Sequence, residues 1–136
     1  GDGPRATTLL QRAETRDPRD LPVLAQLAQL EDEAGHTAEA MALYERVVRA
    51  DQSEVTAAVN LGSLWMQRGR ASEAMRLWED ALSRNPGLTT ARINLAVAQY
   101  RSGQTAAAEA SLQKALDYDP DQPTARQLLS AIRARH

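Results

Sequence analysis

Asn60 and Asn94 stand 34 residues apart, each followed by Leu and a small residue in "NLG" and "NLA", and Gln26 holds the same place one period earlier. A primary amide offers two N–H donors and a carbonyl acceptor, the complement of the C=O and N–H groups that an extended peptide leaves free. Asn is also a poor helix former, because its amide competes with the backbone at a cost of about half a kcal/mol. Three amides at one interval therefore predict a ladder able to hydrogen-bond a peptide main chain. The alternative is internal, with Asn60 and Asn94 bonding a neighbouring helix and setting the spacing between units.

Other chemistry is sparse. His36 and His136 lie far apart without metal-ligand spacing, and with no Cys there is neither a thiolate site nor a disulfide framework. The chain has no glycine-rich phosphate loop and no nucleophile elbow. Glu45 with Arg49 and Asp80 with Arg84 are i, i+4 pairs, worth about 0.2 to 0.5 kcal/mol each on a helix surface. These features point away from an enzyme and imply no cofactor or metal. A net charge of -2 and a pI near 5.7 lack the electrostatic footprint of a nucleic-acid binder. Of 16 basic residues only Lys114 is lysine, a bias that, with abundant Ala, belongs to GC-rich, bacterial-like coding sequences. No apolar run reaches the length of a membrane span, and "GDGPRATTLL" lacks the apolar core of a signal peptide. The expectation is a chain that does not insert in a membrane, in cytoplasm or periplasm.

The elements that carry these residues repeat. Gly35, Gly69 and Gly103 are 34 apart; so are Leu27, Leu61, Leu95 and Leu129; so are Ala6, Ala40, Ala74 and Ala108. A fixed period fixes an architecture, because each repeat is one unit that buries its apolar face only by stacking. Within each period two amphipathic helices are predicted from spacing at i, i+3, i+4, i+7 and i+8. Ala74, Leu77, Trp78, Ala81 and Leu82 make one stripe, matched by Ala40, Leu43, Tyr44, Val47 and Val48. Ala57, Leu61, Leu64 and Trp65 make the stripe of a preceding helix, with Ser53 as its N-cap. The glycines end each first helix, where positive φ is wanted, and Pro18, Pro86 and Pro120 punctuate the links between pairs, Gln52 being the departure. Tyr44, Trp65 and Trp78 are expected in the core, and Ala40, Ala74 and Ala108 are small because paired helices approach closely there.

A 34-residue helix-turn-helix with a small residue after the first-helix Leu (Ala28, Gly62, Ala96), Gly at the turn, Ala in the second helix and Pro at its end resembles the tetratricopeptide repeat. The resemblance implies an all-α fold, a right-handed superhelix of antiparallel helix pairs with about eight helices. Residues 21–54, 55–88 and 89–122 form its complete units, residues 1–20 the second helix of a truncated one, and residues 123–136 a C-terminal capping helix. Glu31 and Gln99 stand where the family has an aromatic, filled by Trp65 in the middle unit. The family implies a non-catalytic module that grips a peptide or protein segment in a concave groove lined by first helices.

At 100° per residue, Asn60 aligns with Thr56, Ser63 and Gln67, flanked by Val59 and Met66. One period later this face reads Thr90, Asn94, Val97 and Arg101, flanked by Ile93 and Tyr100; one period earlier it carries Gln26 and Gln29, with Glu33. These residues are the expected groove. The family's carboxylate clamp for chaperone C-termini needs Lys or Arg here; only Arg101 and Arg135 qualify, both at the wrong end of the helix, which argues against that ligand. Glu31, Asp32 and Glu33 against Arg101, Arg126, Arg133 and Arg135 set up a charge gradient that would orient a polar ligand. A competing expectation is a self-assembling scaffold: the helix bearing Leu9 and Leu10 lacks a preceding partner, which favours homo-oligomers and a longer parent polypeptide. The segment "PTARQLLSAIRARH" reads as a true terminal cap. RNA-binding helical repeats fit neither the period nor the pI.

Overall fold

A computed structural model describes residues 3–51 and 54–135. Among them are eight α-helices: α1 (Gly3–Arg16), α2 (Leu21–Glu33), α3 (Thr37–Ala50), α4 (Val55–Gln67), α5 (Ala71–Arg84), α6 (Thr89–Arg101), α7 (Thr105–Tyr118) and α8 (Pro123–Arg135). Helices follow one another as sequential antiparallel pairs, so the chain is all-α as the period predicts. The expected caps and junction at Gln52 and Ser53 lie outside the described residues. The chain divides into two compact units, one ending at Leu64 and one beginning at Trp65.

In the first unit α2 packs on α1 and on α3. Leu24, Leu27 and Ala28 of α2 and Leu43, Tyr44 and Val47 of α3 are buried, which puts the predicted stripes on the inside. Arg46 reaches from α3 to Glu14 of α1 and donates to the Pro18 carbonyl at 3.0 Å, tying the link to both helices. Asp20 caps α2 by accepting from Val23 N–H at 3.3 Å, with Pro22 in the first turn where no donor is missed.

In the second unit α6 packs between α5 and α7, and α7 against α8. Its core joins Ile93 and Ala96 to Ala108, Leu112 and Ala115, and closes on Ala125, Leu129 and Ile132. Trp78 is buried; Trp65, expected there too, is only half-buried, with the Arg70 guanidinium 4.6 Å above its ring.

Both turn types recur with the period. Gly35, Gly69 and Gly103 have φ of 84°, 78° and 81°. Around each, the residue after Gly donates its N–H to a carbonyl five residues back, His36 to Glu31, Arg70 to Trp65 and Gln104 to Gln99, all at 2.8 Å. Gly itself donates to the carbonyl three back, which completes a Schellman motif. The links use an Asx series: Asp17, Asp51, Asn85 and Asp119 each donate N–H to the preceding helix and accept from the residue three ahead. The last three are held in extended conformation, which the Pro after Asn85 and after Asp119 enforces.

Ala108 is fully buried where α7 meets α6. Ala108→Leu is expected to lower stability by about 1 to 3 kcal/mol through overpacking, read as a reduced urea midpoint at unchanged slope.

Candidate protein-binding site

The first-helix faces carry the expected site residues, taken unit by unit. In the first unit Gln26 and Gln29 are exposed on α2, and Gln29 donates to Glu33 at 3.1 Å. On α4 Thr56 is exposed, while Val59, Asn60 and Ser63 are half-buried. Ser63 donates back to the Val59 carbonyl at 3.2 Å. Asn60 donates through Nδ2 to the Tyr44 hydroxyl at 3.2 Å, so one of its amide donors serves the fold. Burial of Tyr44 holds its phenol above the ordinary pKa, with the carboxylates of Asp32 and Glu33 pushing the same way against the Asn60 bond. The phenol thus stays neutral and keeps a lone pair for Asn60.

In the second unit Met66 is half-buried and Gln67 exposed at the end of α4. On α6 Thr90 and Arg101 are exposed, and Asn94, Val97 and Tyr100 are half-buried. Asn94, like Asn60, is engaged within the chain. Ile93 lies deeper than its place on the helical wheel indicates: it is 8% exposed and packs in the α6–α7–α8 core.

Val97, Tyr100 and Arg101 come together with α8 to form a cleft of about 260 Å³. Leu112 and Ala96 are its floor, and Leu128, Ala131, Ile132 and Arg135 are its far wall. The Arg135 guanidinium reaches to 3.5 Å from the Tyr100 hydroxyl, a long hydrogen bond across the mouth. The α8 residues were not among those expected in the groove. The signal was present: Leu128, Ala131 and Arg135 lie one period after Asn94, Val97 and Arg101. Reading α8 only as a cap hid it. Where the other three first helices bear amides, α8 bears Leu128, which makes this wall apolar.

At the start of the chain α1 has no buried residue; Leu9 is 57% exposed and Leu10 half-buried. A second cleft, about 410 Å³, lies in the first unit between the α1 residues Pro4 and Thr7 and the end of α2 at Leu30, Glu31 and Glu33. Among the described residues no cluster of His, Asp or Glu has the make-up of a metal site, and no helix is long and apolar enough to cross a membrane.

Two family models, both described as tetratricopeptide repeat, match residues 66–132 and 25–89. The chain belongs to the tetratricopeptide repeat family, whose members are typically non-catalytic binding modules. No curated protein matches it. Among solved structures it is similar to MamA, at 19% identity and a TM-score of 0.91 over 99% of this chain and 79% of that one. It is also similar to the first repeat domain of Spaghetti (RPAP3) bound to an HSP90 peptide, at 19% identity, TM-score 0.80, covering 88% and 94% of the two chains. A third is the Yersinia enterocolitica type III secretion chaperone SycD in complex with a peptide of the translocator YopD, at 18% identity, TM-score 0.78, covering 85% and 93%.

Asn60→Ala is expected to lose about 0.5 to 1.5 kcal/mol, the net worth of one part-buried hydrogen bond, in chemical denaturation. Because folding raises the Tyr44 pKa above 10.0, its contribution is complete below that pH and is lost as pH rises through the folded value. The alkaline fall in melting temperature should therefore be shallower in Tyr44→Phe than in the parent.

Proposed function

We propose that the chain is a non-catalytic interaction module that holds a segment of another protein against its first-helix faces, with the α6–α8 cleft as anchor. The observation that carries this reading is the cleft itself: apolar floor, polar mouth, and contributions from two adjacent first helices. At about 260 Å³ it falls below the roughly 300 to 1,000 Å³ of pockets that enclose drug-sized molecules, and suits one or two side chains of a longer ligand. The polar edge of Thr90 and Arg101 beside the cleft supplies contacts to such a ligand's backbone. The peptides held by the RPAP3 domain and by SycD support the class of ligand, not its sequence. Acidic pI argues against nucleic acid as the partner.

Ala131 lines the cleft yet is exposed, so it can be enlarged without disturbing the core. Selection from a random displayed peptide library should enrich binders whose affinity falls at least about tenfold in Ala131→Trp, a loss of roughly 1.4 kcal/mol, with unchanged melting. Enriched peptides that bind both proteins equally would remove the cleft from the reading.

The exposure of Leu9 favours a second reading, homotypic assembly through α1. Sedimentation velocity over a range of concentrations tests it: assembly predicts a rising sedimentation coefficient that Leu9→Glu abolishes, and a concentration-independent monomer rules it out.

A further inference from the structure

The charges at the α6–α8 cleft narrow the ligand beyond "a peptide". Arg126 pairs with Asp121 at 3.2 Å and Arg133 approaches Glu109 at 3.9 Å. Arg101 and Arg135, by contrast, have no carboxylate partner among the described residues, and no Asp or Glu lines the cleft they border. Both end their helices, where a cation complements the macrodipole, but that need does not dictate Arg. Glu33 and Gln67 occupy the same position at the ends of α2 and α4. Cations at this position occur in the two helices that wall the cleft. Two guanidiniums without a carboxylate partner, at the rim of an apolar floor, are a receptor for an anion attached to an apolar group.

We propose that the cleft takes an internal stretch of a partner protein in which a bulky aliphatic or aromatic residue adjoins Asp or Glu. The apolar side chain enters between Val97, Leu128 and Ile132, and the neighbouring carboxylate accepts from Arg101 and Arg135. Both arginines are exposed, so the positive charge lies at the mouth rather than on the floor. A chain-terminal carboxylate sits on the anchor's own Cα, whereas a side chain from the adjacent residue extends to the mouth. The geometry therefore favours an internal acidic residue over a free C-terminus. Recognition combines a short-range apolar fit with an attraction screened by salt.

This inference rests on the peptide-binding reading, and the two are separated by one set of synthetic peptides followed by fluorescence anisotropy at low salt. Acetylated, amidated peptides centred on Leu-Glu are compared with Leu-Gln and Ala-Glu versions, and with a non-amidated peptide ending in Leu. The Leu-Glu peptide should bind about tenfold or more tighter than each control. Its advantage over Leu-Gln should vanish in Arg101→Gln/Arg135→Gln while circular dichroism melting stays as in the parent. Equal affinity for Leu-Glu and Leu-Gln, abolished by Ala131→Trp, overturns the acidic preference and leaves peptide binding standing. Binding confined to the free C-terminal form overturns the internal-segment assignment. Failure of every peptide, library-selected ones included, overturns both readings together.

Discussion

The fold depends on a backbone constraint: a first helix must stop and reverse within three residues so that an alanine of the next helix comes against it. Gly35, Gly69 and Gly103 make that reversal at positive φ. A Cβ added at any of them would meet nothing within 4 Å, so glycine is selected by conformation and not by space. An L side chain there would cost about 1 to 2 kcal/mol in backbone strain alone. The Schellman bonds then satisfy carbonyls that the helix end would leave unpaired. With a thirteen-residue α6, a three-residue turn, a fourteen-residue α7 and a four-residue link, the period is 34 by construction.

The same turn explains how the chain tolerates polar residues where the family has an aromatic. The residue three from each helix end and the residue after Gly are brought adjacent by the Schellman motif, and in the first two turns their side chains meet. In the middle turn this is a cation–π contact between Trp65 and Arg70, the guanidinium being fixed in turn by Glu73 at 2.6 and 2.9 Å. In the first turn Glu31, 7% exposed, lies with Oε2 at 2.6 Å from His36 Nδ1. In the third, Gln99, 9% exposed, accepts from Ser111 at 2.8 Å; Ser111 stands where α5 has Leu77. Glu31 and Gln99 are each matched by a partner within the same hairpin, avoiding the cost of about 1 to 3 kcal/mol that an unsatisfied group would carry, whereas Trp65 Nε1 is buried without a hydrogen-bond partner. Substitution at this position changes the chemistry of the turn without changing its geometry.

The helices, their order and the glycine turns were legible because each is written several times at one spacing, and repetition separates signal from local propensity. The Asx series at Asp17, Asp51, Asn85 and Asp119 was equally regular but mixed two residue types, so identity matching passed over it. What the pattern could not supply was depth. Ile93 and Tyr100 fall within about 20° of each other on a wheel, on one side of Asn94, yet α7 and α8 cover one and leave the other half open. Such asymmetry arises from three-helix packing, which no single helix encodes. Nor does spacing reveal that Asn60 meets Tyr44, since that bond joins residues sixteen apart on different helices. That bond uses one donor of the Asn60 amide, which has a second donor and an acceptor besides.

Positions that build the hairpin and positions that face outward behave differently along the chain. Leu27, Leu61, Leu95 and Leu129 are one residue type, and all are buried. The position just before them reads Gln26, Asn60, Asn94 and Leu128, and the last residue of each first helix reads Glu33, Gln67, Arg101 and Arg135. A side chain outside the alanine contact and the close-packed core is freer to change, because fewer neighbours depend on its volume. Charge and polarity can thus be reset at one position in one repeat while the turn, the alanine contact and the core remain the same. An apolar wall with cations beside it is what that freedom produced at α6 and α8, and an amide-bearing face is what it produced at α4. Those few positions vary from repeat to repeat while the scaffold that carries them stays the same.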